Sequence, residues 1–347
     1  MSDFDKLIER AQQKPARIVL PEATDQRVIQ AAVLAKKDRR CEPVFVGSKT
    51  SILNAADKHN LSVDTIEIVD LDDASSRDVL VDTLVERRKH KGMTAEKAVD
   101  ALSDPLTHAC ALVSAGLADG CVAGAVYATA DVTRTALQIV GAAPGASFVS
   151  SFFLMVMKHD FQPTSGITVF ADCALVVDPD AEQLSEIAMQ TASSTKALMG
   201  IEPIVAMLSF STNGSASHPH VTKVQDATQL TEKQFKDQHP GWQVIGDVQL
   251  DAAVMPEILK KKAPGFSATL TNSDDSDQSL PNILIFPSLE AGNIGYKLCE
   301  RFGGCDAVGP VLQGLARPVN DLSRGCKTED ISRILAITSL QASVDPS

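Results

Sequence analysis

Short apolar runs alternate with amphipathic stretches along nearly the whole chain, and that alternation points to an α/β fold. Arg17–Leu20 (RIVL) is strand-like, and the DQRVIQAAVLAKK beginning at Asp25 then places Val28, Ala31, Ala32 and Leu34 at helical spacing. The same pattern predicts strands at 43–46, 66–69 and 121–126, and helices at 51–58, 75–90, 94–102, 106–117 and 130–140. The Ala-Pro-Gly of residues 143–145 ends this part. Beyond it the texture becomes β-rich at 147–157, Ile167–Ala171 and 174–177, and then gives a long helix over 180–199. A strand at 203–210 runs into the Ser/Thr/Gly loop STNGSASHPH, and strands at 244–249 and 283–286 each precede helices. Strand 307–311 and helix 329–341 close the pattern. The polar stretch 264–281 (PGFSATLTNSDDSDQSLP) reads as a surface loop. No internal repeat is visible.

The chain has 347 residues, enough for two domains with buried cores, and the change of texture sets a boundary near Gly145. A 44% hydrophobic and 22% charged composition excludes disordered, collagenous and disulfide-scaffold classes. The longest unbroken apolar run covers only 152–157, far short of the roughly 20 residues a spanning helix needs, so no membrane partner is expected. The start MSDFDKLIER lacks the positive charge and apolar stretch of an export signal, and the expected location is cytoplasmic. Seven cysteines without CxxC spacing read as free thiols in a reducing compartment rather than a structural zinc site. A net charge of −12 and 4% aromatic residues argue against nucleic acid as a partner.

Missing motifs narrow the chemistry. None of the 20 glycines stands two residues from another, so there is no GxG and no Rossmann dinucleotide fingerprint. GxxxxGK[ST], GxSxG and HExxH are absent too. His218 and His220 form an HxH, but with no third ligand near them in sequence they read as loop histidines, and no metal site is expected.

The most specific stretch is 309–331, GPVLQGLARPVNDLSRGCKTEDI, which combines a strand exit, three glycines, Arg317, Arg324, Asn320, Asp321, Ser323 and a carboxylate-bearing helix start. A helix N-terminus beside Ser and Arg suits a phosphate, because free N–H groups and the dipole both favour anions. The blander reading is that Thr328, Glu329 and Asp330 simply cap the helix, and for Asp330 the residues alone favour it. Arg88 lies in ERRKHKG, the densest basic run, which by itself reads as a solvated helix face; Arg134 has no better case alone. In the 209–218 loop, Ser209 and Ser211 offer hydroxyls to a phosphate, with ordinary turn chemistry equally weighted. Asn293, in a Gly-flanked turn opening a helix, is a similar candidate, whereas Cys326 has no adjacent histidine to make it a nucleophile.

PVLQGLARPVNDLSRGCKTEDI, NILIFPSLEAGNIGYKL (282–298), VAMLSFSTNGSASHP (205–219) and YATADVTRTALQIVGAAPG (127–145) together resemble the phosphate acetyltransferase (phosphotransacetylase) family. The likeness begins at VLPEATDQRVIQAA (19–32), and the length is similar to that of the short, catalytic-domain-only members. The resemblance implies reversible reaction of acetyl-CoA with phosphate to give acetyl phosphate and CoA, by direct attack of the CoA thiol in a ternary complex. It matches Ser323 and Arg324 to the reacting centre, Asp330 to the proposed thiol base, and Arg88 and Arg134 to arginines that engage the phosphate-bearing substrates. It implies no permanently bound cofactor, CoA and acetyl-CoA being substrates. It also implies a homodimer, and two α/β domains around an inter-domain cleft, similar to isocitrate and isopropylmalate dehydrogenases. In that arrangement 1–145 plus 305–347 form the first domain and 146–304 the second.

The chemistry of these side chains agrees with those roles. A thiol with an unperturbed pKa of about 8.5 needs a base or a positive field at neutral pH. Asp330 has too low a reference pKa to be an efficient base unless burial raises it, so orienting the thiol is a more modest role for it. Arg324 can grip phosphate oxygens in pairs and offset charge growing on the carbonyl oxygen. Two alternatives stand beside this one. The first is a phosphate butyryltransferase-like enzyme. The second is a metal- and NAD-dependent decarboxylating dehydrogenase, for which Asp247 and Asp251 would share a helix face as a metal pair.

Overall fold

The computed structural model describes residues 2–73, 76–159, 162, 164, 166–270 and 280–344. The chain begins with α1 (Asp3–Gln13), β1 (Arg17–Leu20), α2 (Gln26–Lys37), β2 (Glu42–Gly47), α3 (Lys49–Lys58) and β3 (Glu67–Asp70). Next come α4 (Arg77–Arg88), α5 (Ala95–Ala101), α6 (Pro105–Ser114), β4 (Gly120–Ala123) and α7 (Thr129–Ile139). The middle holds β5 (Ser150–Val156), β6 (Ile167–Ala171), α8 (Ala181–Met199), β7 (Ile204–Leu208), α9 (Pro219–Gln238) and β8 (Gln243–Val248). It continues through α10 (Leu250–Val254), α11 (Pro256–Lys262), α12 (Pro264–Thr269), β9 (Ile283–Ile285) and α13 (Leu289–Arg301). Last are β10 (Asp306–Gln313), β11 (Val319–Asp321) and α14 (Thr328–Ser343). These elements form two compact units, one of residues 5–149 with the chain from Gly309 on, the other of 2–4 and 150–308.

The first unit is built on a sheet of order β11-β4-β1-β2-β3 whose strand pairs run parallel. β1 and β4 are almost wholly buried, as parallel strands covered by helices on both faces must be. Val19, Val46, Leu84, Cys121, Ala136 and Val319 belong to one apolar cluster that ties strands to helices. The helices start where the sequence offers side-chain acceptors. Asp25 caps α2, Ser48 caps α3, Thr94 caps α5, and Asp104 with Pro105 opens α6. Strand order reverses at β1, since β2 pairs with one of its edges and β4 with the other. Open α/β sheets bind ligands at such a switch, beyond the carboxyl ends of the strands.

The second unit carries a sheet of order β10-β5-β6-β9-β7-β8. β5 and β6 pair antiparallel, while β6–β9, β9–β7 and β7–β8 are parallel. Phe153, Met155, Phe170, Leu208, Ile245, Leu284 and Phe286 fill its core. Asp180 and Gln183 form a reciprocal capping box on α8.

Several features differ from the sequence expectation, α1 and β11 being elements it does not include. Residues 174–177 form no strand: the buried Asp172 carboxylate accepts the N–H groups of Ala174, Leu175 and Val176, bending the chain where a ladder would otherwise form. The 20-residue α9 is an addition to that expectation, because Thr228 and Thr231 stand among the apolar residues of its buried face and blur the periodicity. Of the expected 264–281 loop, the first part is α12, with Leu270 buried behind it; residues 271–279 lie outside the described residues.

Candidate active site

The carboxyl ends of β1, β4 and β11 lie side by side in the first sheet, and the loops that leave these strands make the site. β11 pairs with β4 so that Asp321 stands opposite Ala123. Gly124, with φ +107°, lets the two chains leave the sheet in close contact. A Cβ there would meet Asp321 Oδ1 at 2.3 Å and the Leu322 nitrogen at 2.5 Å, so glycine alone fits. After Leu322 the chain exposes Ser323, Arg324 and Gly325 in a turn, buries Cys326, and enters α14 at Thr328.

Arg27, on the first turn of α2, ties this turn to the neighbouring strand exits. Its Nη1 donates to the carbonyl oxygens of Arg324 (2.8 Å) and Cys326 (3.0 Å), and its Nη2 to that of Ala125 (2.9 Å). The N-cap residue Asp25 grips the same guanidinium through Nε (3.0 Å) and Nη2 (2.9 Å). Burial pushes the Asp25 carboxyl up, but the Arg27 hydrogen bonds outweigh it and hold it below the usual carboxylate range. The N–H donors of Arg27 are thus spent on backbone and carboxylate, a use that suits a planar fork and not an ammonium.

Glu22, 6% exposed just past β1, accepts the N–H groups of Ala125 (2.8 Å), Val126 (2.7 Å) and Tyr127 (2.7 Å). An internal carboxylate therefore occupies the run of backbone donors ahead of α7. Thr129, first in that helix, donates to Asp321 Oδ2 at 2.7 Å, while Asp321 Oδ1 is buried with no hydrogen-bond partner among the described residues. Burial pushes the Asp321 carboxyl up to about 6, against the opposing Thr129 hydroxyl.

Ser323 and Arg324 lie on the β11–α14 connection, and Asp330 in the first turn of α14. Ser323 Oγ accepts the Gly325 N–H at 3.3 Å and keeps its own proton free to donate. The Arg324 guanidinium is exposed and has no partner among the described residues. Asp330 Oδ2 accepts the Lys327 N–H at 2.8 Å, so it does cap α14, and it does so from an exposed position. Burial pushes the Cys326 thiol up to about 11, so it stays protonated at neutral pH and is no nucleophile.

Arg88 ends α4, ahead of a 3₁₀ turn at Lys89–Lys91; it is half-buried and unpartnered among the described residues. Arg134 projects from α7 and pairs with Asp131 at 3.0 Å, both side chains more than half exposed. No hydrogen bond or ion pair links Arg88, Arg134 and the 323–330 segment directly among the described residues.

Ser209, Ser211 and Asn293 belong to the second unit. Ser209 Oγ accepts the Ser211 N–H (3.2 Å), and the buried Ser211 hydroxyl accepts that of Ala216 (3.2 Å) and meets Ser215 Oγ at 3.4 Å. Asn293 sits inside α13 rather than in a turn opening it. Its amide donates to the Cys173 carbonyl (3.1 Å) and accepts from Lys297 (2.7 Å). His218 caps α9, its Nδ1 accepting the His220 N–H at 3.1 Å. Asp247 and Asp251 do not share a helix face. Asp247 is buried at the end of β8 and bonded to Gly214 and Gln225, while Asp251 in α10 pairs with Lys262.

Glu22, Asp25 and Arg27 are functional candidates that the sequence alone does not single out. The one signal for them is an Asp at a helix N-cap with Arg two residues on, just past a strand end.

Known proteins resemble this chain along almost its whole length. The family model described as phosphate acetyl/butaryl transferase matches residues 3–339. The phosphate acetyltransferase of Thermoanaerobacterium thermosaccharolyticum is 43% identical over 342 residues, covering 99% of this chain and 100% of that protein. That of Acetivibrio thermocellus is 45% identical over 342 residues, covering 99% of this chain and 98% of its own. A solved phosphotransacetylase from Staphylococcus aureus superposes with a TM-score of 0.87 at 41% identity, over 98% of this chain and 99% of that one. A 4-hydroxythreonine-4-phosphate dehydrogenase from Klebsiella pneumoniae, 12% identical with a TM-score of 0.53 over 94% of this chain and 100% of its own, shares the fold alone. The match from residue 3 to residue 339, with relatives 43% and 45% identical over 342 residues, places the protein in the phosphate acetyl/butaryl transferase family.

Proposed function

We propose that the chain transfers an acetyl group reversibly between acetyl-CoA and phosphate, the CoA thiolate attacking acetyl phosphate directly in a ternary complex. The observation that carries this reading is the exposed Ser323-Arg324 turn, held from behind by Arg27 while its own guanidinium is left free. In the forward step the thiolate forms a bond to the carbonyl carbon and phosphate departs with the electrons of the broken C–O bond. Arg324 offers paired N–H donors to the acetyl phosphate oxygens and meets the negative charge that develops. Ser323 donates its free proton to an oxygen or sulfur without adding charge. Asp330 accepts the thiol proton or orients it from the first turn of α14.

Arg88 and Arg134 are assigned to the phosphate-bearing parts of the substrates. In a chain of net charge −12, arginines are what collect polyanions. Ser209, Ser211 and Asn293 are assigned substrate contacts in the second unit, where Ser209 keeps a donor proton and Asn293 a second amide hydrogen. The reading includes a domain division into 1–145 plus 305–347 and 146–304, a homodimer, a cytoplasmic location and no resident cofactor. Among the described residues no helix is long and apolar enough to cross a membrane.

The test is ultraviolet detection of thioester formation by the purified protein with CoA and acetyl phosphate, EDTA present, and butyryl phosphate run in parallel. Rapid thioester formation from acetyl phosphate supports the reading. Activity with butyryl phosphate alone would move it to the longer acyl chain, and silence with both would overturn it.

A further inference from the structure

At the carboxyl end of α13 two thiols face one another. Cys305 directs its thiol at Cys299 Sγ across 3.2 Å. The chain reverses between them through Gly303 and Gly304. The N–H groups of Phe302 and Gly303 both turn back to the Leu298 carbonyl. A Cβ on Gly303 would lie 2.5 Å from the Cys299 carbonyl oxygen, and Gly304 has φ +72°. This tight reversal folds Cys305, the residue before β10, back against the helix it has just left.

The pair is graded in access. Cys299 is half-buried, whereas Cys305 is 3% exposed and belongs to the core. A small oxidant therefore meets Cys299 first and leaves Cys305 within reach of the product. The hydrogen bond from Cys305 also lowers the Cys299 thiol, the direction that favours thiolate there, and burial opposes it only in part. A second bonded pair, Cys110 and Cys121, is wholly buried at both sulfurs, and its thiols are shut away from solvent. Cys41, Cys173 and Cys326 are also buried.

We propose that Cys299 and Cys305 form a reversible dithiol–disulfide site that hydrogen peroxide oxidises in the folded protein. The sulfurs need to approach by only about 1 Å to reach bonding distance, which side-chain rotation supplies. In the first step Cys299 thiolate attacks a peroxide oxygen, the O–O bond breaks, and water leaves after protonation, giving a sulfenic acid. In the second, the Cys305 sulfur attacks the Cys299 sulfur, the S–O bond breaks and a second water departs. The two thiols give up two electrons, hydrogen peroxide takes them, and a dithiol reductant reverses the change. The closed ring of residues 299–305 joins the end of α13 covalently to the start of β10. This inference is independent of the acyl-transfer reading.

The test is mass spectrometric mapping of the native, full-length protein after brief exposure to hydrogen peroxide and alkylation of remaining thiols. Trypsin cuts after Arg301, so a bond between Cys299 and Cys305 links two peptides that otherwise separate. The expected result is loss of two of the seven alkylatable thiols, appearance of that linked pair, and its disappearance after dithiothreitol. Cys299→Ser, at the half-buried position, should remove the link while leaving Cys110 and Cys121 reduced. Oxidation that yields Cys299 sulfinic acid with Cys305 still alkylatable, or a link formed elsewhere first, would overturn the proposal. The wild-type map decides the matter even if a cysteine variant folds poorly.

Discussion

Arg27 Nη1 lies 2.8 Å from the carbonyl oxygen of Arg324, a contact between residues 297 positions apart in the chain. The first turn of α2 thereby fixes the backbone of the residue whose guanidinium is assigned to the reacting phosphate. Because Asp25 saturates the other side of the Arg27 fork, the strut is rigid at both ends.

Replacing that strut should therefore misplace Arg324 without touching substrate. Arg27→Ala is expected to lower kcat about 100-fold, with a smaller change in KM for CoA. Arg27→Lys should recover little, because an ammonium cannot serve three carbonyls and a carboxylate together. Steady-state kinetics of thioester formation, with amide hydrogen exchange at 323–326, checks this. Unchanged kcat would show that the turn holds its shape without Arg27.

Asp330 both caps α14 and is assigned to the thiol, and one substitution separates the two roles. In Asp330→Asn the side-chain oxygen still accepts the Lys327 N–H, so stability should change by no more than about 0.5 kcal/mol. The charge and proton affinity are lost, so kcat should fall more than CoA binding weakens. Near-normal kcat would leave Asp330 a cap and nothing else.

Much of the fold is legible in the sequence because its elements are locally encoded. β1 and β6 match their apolar runs residue for residue, and α2 comes from the Asp25 cap and its spacing of small apolar residues. The Ser323–Asp330 segment can be singled out because its residues are close in sequence. Glu22 and Arg27 cannot, since the N–H groups Glu22 accepts stand 103 to 105 positions away and the carbonyls Arg27 serves 98 to 299. Where polar groups replace apolar ones, as at Thr228 and Thr231 of α9, periodicity fades. Where Asp172 takes the backbone donors, an apolar run fails to become a strand.

Gly124 is the point at which β4 and β11 leave the sheet in contact. Gly124→Ala would drive a Cβ into Asp321 Oδ1 and the Leu322 backbone and would force an alanine to φ +107°. It is expected to destabilise the protein by at least about 3 kcal/mol. Chemical denaturation measures this directly, and a change below about 1 kcal/mol would mean that the strand exits separate easily.

Asp321 should set part of the pH dependence of stability. Its carboxyl is pushed up to about 6 by burial, from an ordinary value of 3.8. The folded state thus holds the proton more tightly than the unfolded one. The stabilisation is complete below about pH 4 and is lost as pH rises through about 6. Asp321→Asn keeps an acceptor for Thr129 and cannot ionise. It should gain stability relative to wild type between about pH 4 and pH 8, by about 3 kcal/mol at most. Denaturation curves at the two pH values test this; a difference that does not change with pH would show that Asp321 ionises freely in the fold.

The central claim is that Arg324, presented by the turn after β11, carries acetyl transfer between phosphate and CoA. The most direct measurement is the rate of thioester formation from CoA and acetyl phosphate by the wild-type protein and Arg324→Ala, side by side, with EDTA present. The account predicts fast thioester formation by the wild type and near-abolition in the variant, at least about 1,000-fold, with the melting temperature unchanged because the guanidinium has no partner among the described residues. Wild-type turnover in Arg324→Ala, or no thioester from the wild type, would contradict it.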